Sequence, residues 1–216
     1  NAQVSTKESQ ISRPTPQLVN AYEMLDGSAF DLKNYKDAKG EPFYTIDPKD
    51  PPSSGDPNDH SYQWNDEVVV RKIYEGRDAR LQQSIITPWS TFVGGNNTTL
   101  LYKFPVDESD SNAFVPVWKT GSYSWRKFVE TGSTYTLARQ MPQNIPLIRL
   151  ADVMLMYAEA ANESEGPGAS VYEAMNKVRQ RAKIADLASG LSKDQMRAKI
   201  RHERMVELAG EGQRYS

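Results

Sequence analysis

The chain has 216 residues, a formal net charge of −2 and 25% charged residues; that length holds one or two domains with a substantial core, and that balance implies no nucleic-acid partner. It has no cysteine and two histidines, His60 and His202, far apart in sequence, which excludes disulfides and thiolate chemistry and argues against a His-rich metal site. Its longest apolar stretch, Val153 to Ala158, is far too short to span a bilayer, and no Lys/Arg run suggests a membrane-surface patch.

Taken in order, Asn1 to Pro14 has no period and reads as a loop. Thr15-Pro16 opens a short helix with Leu18, Val19, Tyr22 and Leu25 on one face, stopped by Asp26-Gly27. Asp31 to Asp66 is turn-rich, carrying Pro42, Pro48, Pro51, Pro52, Gly55 and Pro57. So long an irregular segment implies a use for it. Val68 to Val70 and Leu81 to Ile86 read as short strands, with helix left open for the first. Trp89 to Asn97 reads as a loop, and Leu100–Phe104, Phe114–Trp118 and Tyr123–Phe128 have strand-like composition. There is no internal repeat.

Three helices close the chain. Pro146 suits a first helical position. From Leu147 to Ala161 apolar residues cover most of the circumference, which predicts a buried helix. Arg149, Asp152, Glu159 and Glu163 form its one polar stripe, with Arg149 and Asp152 spaced as an ion pair. After Gly166-Pro167-Gly168, the second helix is predicted to open with a capping box, Ser170 to Glu173, and to bury Val171, Ala174, Met175, Val178 and Ala182. The third has a capping box at Ser192 to Gln195 and a hydrophobic staple between Leu191 and Met196, and Gly210 and Gly212 end it.

Three blocks stand here in order: Pro146–Ala160, with Pro-Leu-Ile-Arg-Leu-Ala-Asp and Tyr-Ala-Glu-Ala; Asn176–Ala182, with Asn-Lys-Val-Arg-Gln-Arg-Ala; and Ile200–Arg214, with Ile-Arg-His-Glu-Arg-Met-Val-Glu-Leu-Ala-Gly-Glu-Gly-Gln-Arg. They resemble the C-terminal part of the SusD/RagB family, the nutrient-binding outer-membrane lipoproteins of Bacteroidetes. Asp152 replaces a customary Glu, and Gly210 stands where Phe is common. Pro14 to Gly27 and Tyr74 to Leu81 are similar to two further family stretches, with Ala79 in place of a customary Pro. The resemblance implies a mostly α fold of tetratricopeptide-like helices with irregular loops and a few short strands. It divides the chain into a loop-rich ligand-binding region, 1–144, and a C-terminal three-helix region, 145–216. It also implies an N-terminal helical-repeat region missing from this chain, which would leave Leu150, Met154, Leu155 and Ala158 under-buried or covered by a partner fragment.

A sugar-binding surface needs flat rings for stacking and side-chain amides, carboxylates or cations for the hydroxyls. Trp64, Trp89, Phe92, Asn96 and Asn97 lie in turn-rich context and are the expected glycan contacts. A lone Trp is more often packed in a core, and Trp125, within Tyr123–Phe128, is assigned to the scaffold because that stretch resembles a family strand. Glu203 and Glu207 stand four residues apart among Arg201 and Arg204. Glycoside hydrolysis needs two carboxylates facing one sugar; two on one helix face read as a salt-bridge network. Asp56, Asn58, Asp59 and Asp66 match no calcium loop, and neither a metal nor a cofactor is expected. The resemblance implies non-catalytic capture of oligosaccharide at the cell surface, delivery to a SusC-like TonB-dependent transporter, and an outer-membrane lipid anchor outside this chain. The alternatives are a glycoside hydrolase and a peptide-binding family member.

Overall fold

The structure is a computed structural model that describes residues 13–36, 67–93, 99–102, 123–128 and 146–212. Among them are the helices α1 (Pro16–Ala21), α2 (Glu67–Tyr74), α3 (Ala79–Ser84), α4 (Leu150–Glu165), α5 (Ala169–Arg181) and α6 (Lys193–Glu207), and the short strands β1 (Ile85–Ile86), β2 (Thr91–Val93), β3 (Thr99–Leu101) and β4 (Ser124–Trp125). This is the helical fold with few short strands that the sequence implies. Val68–Val70 is helical, because Val70, Ile73 and Tyr74 bury one face at helical spacing while Arg71 and Lys72 remain exposed. The strand expected over Leu81–Ile86 shrinks to Ile85–Ile86. The Asp78 carboxylate accepts the Arg80 amide and starts α3 ahead of it. The expected strand Phe114–Trp118 and the acidic cluster Asp56–Asp66 lie outside the described residues.

The described residues fall into two compact units. The first is drawn from Asn1–Pro16, Asp31–Glu75 and Gln82–Gln143, the second from Gln17–Phe30, Gly76–Leu81 and Asn144–Ser216. A single cut after residue 144 therefore does not describe the division. The second unit also takes in the Gln17–Phe30 and Gly76–Leu81 segments, which are joined by backbone hydrogen bonds from Leu25 to Gly76 and from Asp78 to Glu23. A further bond from the Ala185 amide to the Leu25 carbonyl ties them to the helices.

In the first unit, β1 pairs antiparallel with β4, and β2 with β3. The β2–β3 register sets Phe92 opposite Leu100, and both are buried, whereas Thr91 and Val93 on either side of Phe92 are exposed. That alternation follows from the two-residue repeat of a strand.

In the second unit α4, α5 and α6 enclose a core of Leu155, Ala158, Val171, Met175, Val178, Met196 and Ile200. α6 opens with the expected capping box at Ser192 and Gln195, and Leu191 and Met196 join the same cluster. α5 does not: Gly168 is its N-cap with no side-chain bond, and Ser170 already lies inside the helix. α4 starts at Leu150 with Arg149 as N-cap, so Pro146 lies upstream of the helix rather than at its first position. Nor is α4 buried all round. Leu150 is exposed as expected, but Leu155 and Ala158 are fully enclosed, because they face α5 and α6. The exposed apolar face is Leu150, Val153, Met156 and Tyr157.

Glu203 and Glu207 sit one turn apart on α6, both buried, in a cluster of arginines. Arg80 donates from Nη1 to Glu203 Oε1 at 2.6 Å and to Glu207 Oε2 at 3.0 Å, while its Nε and Nη2 hold the Asp78 carboxylate. Arg179 Nη1 reaches Glu203 Oε2 at 3.1 Å, and its Nη2 lies 2.8 Å from Glu23 Oε2. Arg149 donates to Glu207 at 2.8 Å, to Glu211 at 2.6 Å and to the Glu207 carbonyl at 3.0 Å. The expected Arg149–Asp152 pair is therefore absent. Two carboxylates and a helix-end carbonyl attract Arg149 more than one neighbour on its own helix does, and Asp152 lies 3.1 Å from Arg204 instead. Burial pushes the Glu207 carboxyl up, but its hydrogen bonds from Arg80 and Arg149 more than offset this and hold it below the usual carboxylate range. Burial raises Glu23 too, and Arg179 and Lys199 bring it below its ordinary value.

Two outcomes follow for this unit. Glu203→Gln should cost about 3–5 kcal/mol in urea denaturation, because it leaves buried guanidinium charge uncompensated, and glycan affinity of the folded fraction should not change. The second concerns His202, whose Nε2 lies 3.8 Å from Glu23. Burial lowers its pKa from the ordinary 6.5, against the pull of Glu23 and Glu203. Below pH 6.5 the unfolded chain therefore takes up a proton that the fold refuses, and stability declines until the lowered folded value is passed. Glu23 and Glu207 behave differently: their contribution is present above 4.5 and is lost as pH falls through their depressed folded values. Denaturation measured from about pH 7 to 5 should thus show a decline in the parent that is shallower in His202→Gln. Equal slopes would mean that His202 is not shielded.

Candidate functional site

One cleft of the first unit is built around a turn. Ser90 donates from its backbone N–H at 3.1 Å and from its hydroxyl at 2.7 Å to the Thr87 carbonyl, closing Thr87-Pro88-Trp89-Ser90 into a β-turn. Proline pre-sets the backbone at the second turn position. The third position belongs to Trp89, with φ 60°. A left-handed backbone is cheap for glycine and costs other residues on the order of 1–3 kcal/mol. The turn is held by two further backbone bonds, Trp89 N to Tyr102 O at 2.6 Å and Tyr102 N to Ser90 O at 3.0 Å. Tyr102 is itself enclosed, and burial raises its hydroxyl pKa.

A cleft of about 320 Å³ opens at this turn. α2 contributes Arg71 and Tyr74 to its wall, Glu75 follows directly after the helix, and Gln82 of α3 and Thr87 add polar groups, joined by a 3.2 Å bond from Gln82 Nε2 to Thr87 Oγ1. Trp89, half-buried, also lines the opening, as do Thr91 and Arg126. Arg126 is fixed by its neighbours on both sides of the chain. Its own amide and that of Lys127 donate to the Ser84 carbonyl, and its Nη2 donates to the Thr91 carbonyl. The lining holds aromatic residues together with hydrogen-bond donors and acceptors and cationic side chains, which is what a polyhydroxylated ligand needs.

Of the expected contact residues, only Trp89 is placed in this cleft. Phe92 is 2% exposed and packs on the inner face of its hairpin, so it belongs to the scaffold and the expectation for it is corrected. Trp64, Asn96 and Asn97 lie outside the described residues. Arg71, Glu75, Gln82, Thr87 and Arg126 were not anticipated. The signal for Trp89 was available in Pro88, which favours a turn ending in a left-handed residue. No signal marked Arg126, because the two-residue strand before it gives too short a period. The second unit has a cleft of its own, about 460 Å³, with Phe30, Leu191, Lys199 and His202 among its walls. Its buried carboxylate, Glu23, is already engaged by Arg179 and Lys199, and no backbone strain marks its walls. His202 is not grouped with other metal-binding side chains among the described residues.

An α-rich protein in which a strained tryptophan turn flanks a polar-walled cleft is the class these features define. The chain belongs to the SusD family, whose model matches residues 3–216. A SusD-like protein from Formosa agariphila, P25, is 46% identical over 68 residues, which is 30% of this chain and 13% of that protein. A SusD-like protein from Bacteroides fragilis superimposes with a TM-score of 0.63 at 25% identity, over 92% of this chain and 34% of its own. A second B. fragilis structure, described as a SusD-like carbohydrate binding protein, gives 0.54 at 22% identity, over 92% of this chain and 33% of its own. The chain thus spans about a third of the solved relatives it matches.

If Trp89 is kept in a strained conformation for its ring, removing the ring and restoring backbone freedom should separate two effects. Trp89→Gly should be more stable than Trp89→Ala by about 1–2 kcal/mol, since only the alanine retains the left-handed penalty. Thermal melts of the two variants side by side test this; an alanine variant at least as stable as the glycine variant would show that the turn carries no strain.

Proposed function

We propose that this chain is the ligand-binding part of a non-catalytic nutrient-capture protein that binds oligosaccharide at the cell surface. The observation that carries this reading is Trp89, held in a left-handed turn at the mouth of a cleft walled by polar side chains. Strain of this kind persists where surrounding structure imposes it, and it concentrates at ligand clamps. Family membership supports the reading, as does the carbohydrate-binding description of one solved relative.

Capture rather than hydrolysis is favoured by where the carboxylates stand. Glu203 and Glu207, the pair weighed for hydrolysis and read as a salt-bridge network, are buried under arginines in the second unit. Among the described residues of the cleft, Glu75 is the single carboxylate, whereas glycoside hydrolysis uses two across one sugar. Capture needs stacking and hydrogen bonds that can be released again. The captured sugar would then be handed to a SusC-like TonB-dependent transporter, with the protein tethered to the outer membrane by a lipid anchor. Among the described residues no helix is long and apolar enough to cross a membrane.

Calorimetric titration against an oligosaccharide panel, paired with a reducing-end assay, tests the proposal. Binding without release of new reducing ends is expected. Trp89→Gly should lower affinity at least about tenfold, the loss that marks a central aromatic anchor. Enzymatic production of reducing ends from a bound glycan would replace capture by hydrolysis. Unchanged affinity in Trp89→Gly would move the site away from this cleft.

A further inference from the structure

Arg126 in the cleft differs from the ion-paired arginines of the helical unit. Arg80, Arg149, Arg179, Arg197 and Arg204 each lie within ion-pair distance of at least one carboxylate. Arg126 has none among the described residues. Its Nε is buried without a hydrogen-bond partner, and its Nη2 is occupied by the Thr91 carbonyl. The guanidinium carbon lies 5.7 Å from the centre of the Phe92 ring, a weak cation–π contact that carries no counter-charge. Burial alone holds its pKa below the ordinary arginine value, with no carboxylate acting against it. A half-buried cation lacking its counter-ion is an unfavourable arrangement, and an arriving anion relieves it.

We infer that the ligand of this cleft is an acidic oligosaccharide, one whose carboxylate or sulfate group sits on the Arg126 guanidinium while a neighbouring sugar ring stacks on Trp89. The inference rests on the capture reading above and specifies its ligand. A planar guanidinium suits carboxylate and sulfate oxygens alike, because it offers several N–H donors in one plane. Neutral sugars would leave Arg126 as uncompensated as it is in the free protein.

Titration calorimetry with three sets of fragments, matched for length, tests this: uronate oligosaccharides, sulfated galactan oligosaccharides, and neutral xylo- and malto-oligosaccharides. At least one acidic set should bind about tenfold or more tightly than the neutral ones, with affinity falling as salt is added. Whichever acidic set binds identifies the group as carboxylate or sulfate. Arg126→Gln should lose about tenfold to a hundredfold in affinity for that set, and Arg126→Lys should recover part of it. If Arg126→Gln does not fold, the acidic-to-neutral ratio and the salt dependence of the parent decide the matter. Neutral fragments binding as tightly as acidic ones would overturn the inference and leave capture intact. Acidic fragments bound equally by a folded Arg126→Gln variant would do the same. Failure of every fragment to bind, acidic or neutral, would overturn the capture reading and the inference together.

Discussion

The helical unit depends on a buried ion cluster in which the two α6 carboxylates, Glu203 and Glu207, are shared among arginines from distant parts of the chain. Taking charges out of water is expensive, and the attraction between them compensates only where geometry is good and remaining lone pairs are used. Glu203 meets that condition by giving one oxygen to Arg80 and the other to Arg179. Each guanidinium continues to a second acid, Asp78 for Arg80 and Glu23 for Arg179. The acids and bases thus link four segments that are far apart in sequence: the turn after α1, the start of α3, α5 and α6. A hydrophobic core accepts many near-equivalent packings, whereas directional pairs of this kind accept few. This is also why the second unit is discontinuous. Gln17–Phe30 and Gly76–Leu81 join the C-terminal helices because they bring Glu23, Asp78 and Arg80 to the cluster.

The same cluster changes the meaning of a sequence pattern. Carboxylates four residues apart on a helix could be read as catalytic, but a general acid and a nucleophile need a sugar between them. Here the space in front of both is filled by guanidinium groups, and Glu207 is held ionised by Arg80 and Arg149. A carboxyl with a depressed pKa is a poor proton donor near neutrality. The chemistry of the α6 face is therefore cohesive, and the features expected of a ligand site are concentrated in the other unit.

Much of the helical fold was legible in the sequence, because helical periodicity and capping act over three to seven residues. Ser192, Gln195, Leu191 and Met196 are one such local signal, and all four behave as read. The failures share a cause. Arg149 was paired with Asp152 on local spacing, but its partners are more than fifty positions away, and no window along the chain contains them. Leu155 and Ala158 were expected to be uncovered because α4 is apolar nearly all round; which side faces α5 and α6 is set by tertiary packing alone. Val68–Val70 favours a strand by composition, yet the burial of Val70, Ile73 and Tyr74 at helical spacing overrides it. Trp89 lines a cleft, in keeping with its turn-rich surroundings, whereas Phe92, three residues on, is buried by a strand only three residues long, too short to show a period in the sequence.

Arg126 contrasts with the ion-paired arginines of the helical unit, and this contrast connects scaffold to function. There Arg80 and Arg179 are accompanied by carboxylates from their own chain, so their charge is spent on holding the fold together, while Arg77 is held by the Val19 and Tyr22 carbonyls and the Phe30 ring. At Arg126 the chain supplies only a carbonyl oxygen, and burial lowers the pKa without a balancing acid. Trp89 shows the same pattern in the backbone: a conformation that glycine would adopt freely is imposed on the largest side chain. Either feature alone would be a local cost with several explanations. Found in one cleft, an uncompensated cation and a tryptophan imposed on a left-handed backbone are two features that one ligand, with an anionic group and a flat apolar face, would use together.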